Sequence, residues 1–330
     1  MSIGLTSNFF RLLIHFRRHD LVSFEAEHER LFKEAKRSRD HLAVTTHYYS
    51  VMSGVINEYF NGNFHFVPPS SDDERLDEAL FSLNHRIGNC LNLKKGKKCV
   101  DIGCGIGGAM EDMADYGAEM IGITIAANDA KTGNERFERK GISNCRIIVA
   151  DCHTIPLDNN TVNAVYAVYA LKYFPDLKPV LREVNRILKP GGLFLVYDLL
   201  KTGKYDETSK HHRAILSGLE YACGMPPLHR RDEMLSNAEE SGFEVASTLD
   251  LSKETGNPFY YCFSNSRLFM WLIRSSFVNF LISTSEAIGF LPKGFSRFND
   301  IFLAGTVSKI VEGGQLGIIS GSELLIFRKK

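Results

Sequence analysis

The sequence lacks the excess of one charge that marks nucleic-acid-binding proteins. Among its 330 residues, 39 Lys and Arg are balanced by 39 Asp and Glu, so the formal net charge is zero. A chain with no net positive charge has no general attraction for phosphate backbones. We therefore expect that nucleic acid is not a partner.

Cysteine never occurs at the paired spacing of a zinc site. The seven cysteines are odd in number and include no CxxC pair. They are Cys90, Cys99, Cys104, Cys145, Cys152, Cys223 and Cys262. This usage is typical of a reduced, intracellular protein. We expect no structural zinc and no other bound metal.

Uninterrupted apolar runs of membrane-spanning length are also lacking. In Met1–Asp20, Arg11 interrupts the apolar residues and no small-residue cleavage site follows, which favours an amphipathic helix over a signal peptide. Leu268–Pro292 is interrupted by Arg274 and Glu286, which are costly to bury in lipid. We expect a protein that is cytoplasmic or peripheral to the endoplasmic reticulum membrane, and contact with a membrane surface stays open.

The most apolar part of that stretch predicts either a lid over a pocket or an interfacial helix. The residues concerned are Phe269, Met270, Trp271, Ile273, Phe277, Phe280 and Leu281. The alternative is that they form the core of an inserted segment.

From Lys98 onward, short apolar strands alternate with helices. The pattern predicts a strand and glycine turn at Cys99–Gly108 and further strands at Glu119–Ile125, Cys145–Ala150, Val162–Tyr169 and Leu193–Leu199. It predicts helices at Ala109–Tyr116, Asn128–Lys140 and Leu177–Leu188. Five strands in this alternation imply an open parallel sheet. A sixth strand begins after Gly242, and Glu323–Phe327 forms a seventh that returns to the sheet.

These elements predict an α/β fold, a Rossmann-like sheet of seven strands with a helical N-terminal lobe and a C-terminal insertion. The lobe covers residues 1–92, the core covers 93–200, and residues 201–330 complete the sheet and carry an insertion at about 250–320. Within the lobe, a polar break at Pro68–Asp73 separates an aromatic-rich segment from a helix at Glu74–Leu91.

A glycine-rich turn follows the first predicted strand. Gly103, Gly105 and Gly108 satisfy the GxGxxG pattern, which lets a ligand approach backbone amides at a helix N-terminus. A dinucleotide site would place an acid about 20 residues further on, but the second strand ends at Thr124. Asp101 lies two residues before the first glycine, where an acid can balance a cationic amino-acid cofactor.

Two further segments complete the pattern. Asp151 and Cys152 end the third strand, and Arg186–Gly192 leads into the fifth. In this combination the sequence resembles the class I methyltransferases, which use S-adenosylmethionine. The resemblance implies that Thr124 lies near the ribose and that Asp151, with the Cys152 backbone, meets the adenine; a simple strand-end cap is the alternative for Asp151. It implies that the methionine end is held by Asp101, Gly103, Gly105 and Gly107.

Beyond residue 40, nearly the whole chain resembles the sterol methyltransferase family. The resemblance rests on His47–Tyr49, Phe64–Pro68, Leu219–Pro226 and the closing strand. Aromatic walls suit a flat, apolar ring system, so it implies a sterol substrate. The substrate region it implies contains Tyr49, Tyr59, Phe60, Phe64, Phe66, Tyr221 and Met225. The alternative is that these side chains pack the core of a helical cap.

The block after the fourth strand differs from that of the C-24 side-chain methyltransferases. Their Glu-Ala-Thr-Cys-His is replaced here by Tyr169-Ala170-Leu171-Lys172-Tyr173. A carboxylate can stabilise the cation that forms when an alkene is methylated, so its loss argues for another acceptor carbon. The variant most resembles the nematode sterol 4-methyltransferases, which implies methylation at C-4 of a 3-oxo sterol.

A carbon beside a ketone becomes nucleophilic when a base removes its proton and the enolate charge is stabilised. The candidates for these roles are His65, Tyr169, Tyr173 and Glu220, while Lys172 is expected to face solvent. For His65, a structural role or contact with the cofactor carboxylate is the alternative.

Three other functions stay open. They are C-24 methylation of a sterol, methylation of another lipid or small molecule such as a phosphoethanolamine or a quinone, and binding of sterol or cofactor without catalysis. A homo-oligomeric state also stays open.

Overall fold

The structure, a computed structural model, describes residues 13–60, 62 and 64–330, and only the backbone of Glu58 and Tyr59. Residues 13–17 are helical. The rest of the predicted N-terminal amphipathic helix, residues 1–12, lies outside the described residues.

The strands and helices follow the predicted alternation. The strands are β1 (Lys98–Ile102), β2 (Glu119–Thr124), β3 (Cys145–Val149), β4 (Val162–Val168), β5 (Leu188–Tyr197), β6 (Leu200–Lys201), β7 (Phe243–Asp250), β8 (Ile319–Ser320) and β9 (Glu323–Lys329). The helices up to β7 are α1 (Leu21–Ser38), α2 (Leu42–Phe60), α3 (Leu76–Cys90), α4 (Gly108–Asp112), α5 (Ala127–Arg139), α6 (Leu177–Ile187), α7 (Lys210–Cys223) and α8 (Arg231–Glu240). The helices after β7 are α9 (Leu251–Thr255), α10 (Tyr261–Ser264), α11 (Arg267–Arg274), α12 (Ser276–Ala287), α13 (Phe295–Phe298) and α14 (Ala304–Gln315). Short 3₁₀ helices lie at Ala114–Tyr116 and Leu171–Tyr173, and a π-helix at Asn299–Leu303.

Seven strands form one sheet in the order β3-β2-β1-β4-β5-β9-β7. The first five strands are parallel, and β9 pairs antiparallel with both β5 and β7. The strand order reverses between β1 and β4, and in open α/β sheets ligands bind in the crevice beyond the carboxyl ends of the strands at such a point. The ends of β1 and β4 are therefore where the site is expected.

Continuous burial explains why these segments are strands. Four of the five residues of β1 and six of the seven of β4 are buried, as expected for a sheet covered on both faces. Helix α6 covers one face through an apolar stripe at i, i+3, i+4, i+7 and i+10, with the side chain of Asp176 capping its N-terminus. The stripe consists of Leu177, Val180, Leu181, Val184 and Ile187.

Two predicted elements differ from the structure. The helix predicted at Ala109–Tyr116 breaks at Met113 into α4 and a 3₁₀ turn, which ends at Gly117 with φ of 67°. The fifth strand begins at Leu188 rather than Leu193, because Leu188 already pairs with Val162 across an irregularity in the register. The two-stranded sheet of β6 and β8 carried no sequence signal, since each strand has only two residues.

A helical lobe lies against the carboxyl ends of β4 and β5. Its apolar cluster, which we call the lobe cluster, combines residues from the N-terminal helices, from α7 and from the segment between β7 and β9. The Tyr197 hydroxyl at the end of β5 donates to the Phe66 carbonyl at 2.9 Å, which fastens the lobe to the sheet. Segments distant in sequence thus form one layer over the crevice.

Within the described part of the chain, no single helix is long and apolar enough to cross a membrane. Helices α11 and α12 reach that length and composition only as a pair, and the pair is bent by 59°. No residue of either helix is buried.

Candidate active site

The glycine turn after β1 is shaped to receive a ligand on its backbone. Gly103, Gly105 and Gly107 have φ of 73°, 53° and 79°, in the left-handed region that favours glycine. A side chain at Gly107 would lie 2.6 Å from Phe137, whereas none of the described atoms lies within 4 Å of one at Gly105. The backbone N–H groups of Gly105 and Ile106 donate no hydrogen bond within the described residues. The turn therefore offers open space and two free donors.

Asp101 lies beneath this turn as a buried acid. Asp101 lies on β1, where it pairs with Gly122 of β2 and Tyr166 of β4, and it is 4% exposed. Burial raises the pKa of Asp101 to about 7, while the nearby Tyr166 hydroxyl acts in the opposite direction. The described residues give this carboxylate no ion pair, so a cationic ligand would supply the missing counter-charge.

Thr124 has a local structural role. It is buried, and its hydroxyl accepts the N–H of Ala126 at 3.2 Å, which shapes the turn into α5. Its predicted contact with a ribose stays a prediction. Asp129, in the first turn of α5, is a carboxylate near this turn, and its charge raises the pKa values of both Cys104 in the glycine turn and Tyr49.

Sequence reasoning missed Asp129 and also Ile125. Burial raises the pKa of Asp129, a cost that ribose hydroxyls donating to the carboxylate would offset. Ile125 follows β2 at the sheet edge and is 46% exposed, an apolar surface that a planar base could cover. Counting residues from Thr124 along the first turn of α5 would have found Asp129.

Asp151 and Cys152 follow β3 at the same edge. One carboxylate oxygen of Asp151 accepts the backbone N–H of His153 at 2.8 Å and bonds the His153 ring at 2.7 Å. The other oxygen accepts no hydrogen bond within the described residues and can accept one from an amino group. Cys152 is buried beside the Gly103 backbone, and burial raises the pKa of its thiol to about 12. The strand-end cap and an adenine contact are therefore compatible at Asp151.

These observations fit S-adenosylmethionine. Asp101 would balance its ammonium group, the Gly103–Gly107 backbone would donate to its carboxylate, and Asp129, Ile125 and Asp151 would contact the ribose and adenine. When bound, this cofactor supplies a methyl group on a sulfonium, and the sulfur leaves as a neutral thioether without needing a proton.

Aromatic side chains gather next to this edge. Phe64 packs on Phe60 and Phe66, with ring centroids 4.2 and 5.3 Å away, and Phe66 in turn lies 5.9 Å from Tyr169. The Tyr49 hydroxyl donates to that of Tyr173 at 2.9 Å. The structure thus brings together four of the predicted substrate residues, Tyr49, Phe60, Phe64 and Phe66. We call these residues, together with Tyr169, the aromatic wall. The side chain of Tyr59 lies outside the described residues.

Two further aromatic residues come from the segment after β7, which the sequence did not assign to this wall. Phe259 and Phe263 contact Phe66, with ring centroids at 6.1 and 5.6 Å. Phe263 also stacks on Phe269 of α11, which links the wall to the exposed helix pair.

Three of the four candidate catalytic residues converge near the end of β4. Tyr169 has φ of 53°, a left-handed backbone that is uncommon outside glycine and asparagine. Its hydroxyl donates to the Gly321 carbonyl at 2.9 Å, and His65 stacks on its ring at 5.7 Å. Burial and the charge of Lys172 lower the pKa of His65 to about 3, so its imidazole is neutral. Tyr173 completes the group.

Lys172 does not face solvent, and the prediction that it does is wrong. It is 8% exposed, and its ammonium lies 4.6 Å and 4.7 Å from the ring centroids of Tyr169 and Tyr173. The left-handed turn at Tyr169 leads directly into a 3₁₀ helix, and this change of direction carries the side chain inward. Burial lowers the pKa of Lys172, and the neighbouring Asp198 opposes that shift.

The remaining predicted residues lie elsewhere in the lobe. Glu220 accepts the N–H of Leu228 at 3.0 Å, which closes the Gly224–Pro227 turn, and burial raises the pKa of Glu220 to about 7. Tyr221 packs against Phe32 of α1, with ring centroids 5.2 Å apart. Met225 is buried in the lobe cluster. No described contact joins Glu220 or Tyr221 to His65, Tyr169 or Tyr173.

Comparison with known proteins identifies the family of the chain. Residues 100–196 match the methyltransferase domain family. A sterol 4-C-methyltransferase of Caenorhabditis elegans is 51% identical over 332 residues, which cover 100% of this chain and 99% of that relative. The chain belongs to the sterol methyltransferase family.

More distant members and solved structures match it as well. A cycloartenol-C-24-methyltransferase of Oryza sativa subsp. japonica is 29% identical over 90% of this chain and 88% of that relative. A geranyl diphosphate C-methyltransferase of Streptomyces coelicolor A3(2), solved with S-adenosyl-L-homocysteine, has a TM-score of 0.60 at 20% identity, over 82% of this chain and 92% of that chain. The second likeness shows the fold alone.

Membership of the sterol methyltransferase family confirms three predictions from the sequence. The fold is that of the class I methyltransferases, the protein is a methyltransferase enzyme, and its methyl donor is S-adenosylmethionine.

Proposed function

We propose that this enzyme transfers a methyl group to C-4 of the A ring of a 3-oxo sterol. The observation that carries the proposal is the aromatic wall, which contains Tyr169 at the position where C-24 methyltransferases carry a glutamate. The wall adjoins the cofactor turn, because a side chain at Gly103 would lie 2.7 Å from that of Ala170, the residue after Tyr169. The full-length similarity to a relative named as a sterol 4-C-methyltransferase supports it.

The wall suits a sterol because it is broad and apolar. Tyr49, Phe64 and Phe66 belong to the lobe cluster, and Phe60 packs on Phe64. Phe259 and Phe263 extend the surface toward α11. A fused ring system buries a large apolar area against such side chains, and that burial drives binding.

The reaction at C-4 needs a proton acceptor and stabilisation of negative charge. The carbonyl at C-3 acidifies the C-4 hydrogen, and His65, whose ring stacks on that of Tyr169, is the candidate that would accept this proton. The electrons of the broken C–H bond form an enolate, whose C-4 then bonds to the methyl carbon while the methyl–sulfur bond breaks. Alignment of the two reacting carbons supplies much of the acceleration.

A C-24 reaction would need the opposite charge. Methylating an alkene produces a carbocation, which a carboxylate beside the substrate would stabilise. Among the described residues, the carboxylate that contacts Lys172 is that of Asp198, which already accepts two backbone N–H groups and faces the Lys172 ammonium.

The test is methyl transfer from S-adenosylmethionine carrying a deuterated methyl group. Purified protein is incubated separately with a 3-oxo sterol, its 3β-hydroxy analogue and a Δ24 sterol, and products are analysed by mass spectrometry. We expect label at C-4 of the 3-oxo sterol alone. Label on the side chain of the Δ24 sterol would overturn the proposed position.

We also propose that α11 and α12 contact a lipid surface from which the sterol enters. Leu268, Trp271, Phe277 and Phe280 are 66%, 55%, 61% and 64% exposed. The charged side chains in residues 267–297 are Arg267, Arg274, Lys293 and Arg297, with Glu286 as the one acid, whose oxygens accept backbone N–H groups. Arg297 is ion-paired with Glu25 of α1, so the cationic character of this face comes from Arg267, Arg274 and Lys293. An apolar face flanked by cations complements an anionic membrane.

Flotation with phosphatidylserine-containing vesicles tests this contact. We expect the wild type to float and the double variant Trp271→Ser/Phe280→Ser to remain in the dense fraction. Phe81→Ser is the matched control, since Phe81 is 48% exposed on α3, far along the chain from this pair. If the wild type does not float, and light scattering shows a dimer for the wild type and a monomer for the double variant, the face would be assigned to a second copy instead.

A further inference from the structure

Lys172 is the feature that the proposed function has not yet used. Its ammonium is buried at the end of β4, and one hydrogen bond holds it, donated to the carbonyl of Tyr169. The carboxylate of Asp198 lies 3.7 Å away, which is beyond hydrogen-bonding distance. Its other contacts are with the rings of Tyr169 and Tyr173, 4.6 and 4.7 Å from their centroids, so within the described residues two of its three N–H donors lack an oxygen acceptor.

A buried ion pair with a purely structural role is expected to have better geometry. Burying an ammonium costs on the order of several kcal/mol unless good hydrogen bonds compensate for the lost hydration. The carboxylate oxygens of Asp198 accept hydrogen bonds from the backbone N–H groups of Lys172 and Leu199, at 3.1 and 2.8 Å. It holds the Lys172 backbone in place and provides a counter-charge, but leaves the donors of the ammonium available.

The groups that surround Lys172 are one carboxylate and four uncharged side chains. His65, Tyr169, Tyr173 and Cys223 are uncharged near neutral pH, because burial lowers the pKa of the histidine and raises those of the other three. Asp198 is the one anion in the described part of the chain that faces the ammonium. All four neutral groups belong to, or adjoin, the aromatic wall.

We propose, resting on the proposed function, that Lys172 donates a hydrogen bond to the C-3 oxygen of the sterol and stabilises the enolate that forms on it. As the C-4 proton leaves, negative charge grows on this oxygen next to a fixed ammonium in a water-poor site. The same cation disfavours a carbocation, so Lys172 also selects against alkene acceptors. Its lowered pKa makes it a stronger donor to an oxyanion than a surface lysine.

Hydrogen exchange at C-4 isolates this step. Wild-type protein is incubated in D₂O with a 3-oxo sterol and S-adenosylhomocysteine, which fills the cofactor site and has no methyl group to transfer. Deuterium at C-4, measured by mass spectrometry, then reports enolate formation alone. We expect Lys172→Met to slow exchange by about 100- to 1,000-fold, as the loss of one oxyanion donor does, and Lys172→Arg to recover part of the rate.

The matched control is Lys201→Met. Lys201 also lies over a tyrosine ring, that of Tyr205 at 5.5 Å. It is on β6, and no described contact joins its side chain to the groups around Lys172. This variant should exchange at the wild-type rate. The affinity of Lys172→Met for S-adenosylhomocysteine, measured by calorimetry, should stay within about threefold of the wild type, which separates loss of the donor from loss of the fold.

If removing the charge from Lys172 leaves Asp198 unpaired and the variant unfolds, Lys172→Met/Asp198→Asn removes both charges and should refold, still without exchange. Exchange by Lys172→Met or by this folded double variant at the wild-type rate would overturn the role of Lys172 alone. A wild type that methylates no 3-oxo sterol would overturn the proposed function and this inference with it.

Discussion

Replacing Asp101 with asparagine removes a buried charge without changing the shape of the side chain. Asp101 is 4% exposed and has no ion pair within the described residues, and its pKa is raised to about 7. If its carboxylate form balances the cofactor ammonium, affinity for S-adenosylmethionine follows the ionised fraction. That fraction is about three quarters at pH 7.5 and about one tenth at pH 6 for a pKa of about 7.

The amino group of the cofactor titrates in the opposite direction and reduces the effect. With an α-amino pKa of about 7.7–8.0, roughly two thirds of the cofactor is cationic at pH 7.5 and nearly all of it at pH 6. The dissociation constant of the wild type should therefore rise about sixfold between pH 7.5 and pH 6, or about 1 kcal/mol. Asp101→Asn should bind more weakly at pH 7.5 and lose this rise.

Calorimetric titration at both pH values, with S-adenosylmethionine as titrant, measures the effect. Thermal unfolding controls for the fold. A carboxyl whose pKa is raised by folding destabilises the folded state increasingly from about pH 4 up to its folded pKa, so ligand-free Asp101→Asn should be at least as stable as the wild type at pH 7.5. An affinity of Asp101→Asn equal to that of the wild type at pH 7.5, or a wild-type affinity that is constant between the two pH values, would refute the reasoning.

Three other changes test the rest of the site. Gly105→Ala should cost about 1 kcal/mol of stability from backbone strain and should also weaken cofactor binding. Gly141→Ala is the control: at a similar φ and with the same open surroundings, it should cost stability alone. Thermal unfolding and calorimetric titration of both variants measure the two effects. Asp129→Asn should weaken S-adenosylmethionine binding about tenfold if its carboxylate holds the ribose, a loss of about 1.4 kcal/mol, while Glu135→Gln on the same helix should leave the calorimetric affinity unchanged. Tyr49→Phe loses a hydroxyl pair at the wall and should raise KM for the sterol about fivefold, from a hydrogen bond of about 1 kcal/mol, with kcat changed less; an unaltered KM would show that the pair does not shape the substrate site.

The sheet could be predicted from the sequence because its signals are local. Buried parallel strands are continuous apolar runs, and glycines with positive φ mark the turn after β1 whatever surrounds them. The predicted strands β2 and β3 agree with the structure to within one residue at each end. The prediction of cofactor residues at these strand ends rests on the same local signals.

The substrate side depends on contacts that no local pattern records. Phe259 and Phe263 reach the aromatic wall only because the segment after β7 folds back over the crevice, about 190 residues along the chain from Phe66. Lys172 was assigned to solvent because a lysine after a strand is usually exposed. The left-handed backbone at Tyr169 reversed that outcome, and a non-glycine residue in this conformation has no sequence signature.

The most direct test of C-4 methylation uses a 3-oxo sterol that carries two deuterium atoms at C-4, with unlabelled S-adenosylmethionine, under conditions where exchange with solvent is quenched early. If C-4 is the acceptor and an enolate forms, each product molecule gains one methyl group and loses one deuterium from C-4. Mass spectrometry of the product should show that paired change in the first turnovers. A product that gains the methyl group and keeps both deuterium atoms would contradict the account, because the new bond would then lie at another carbon.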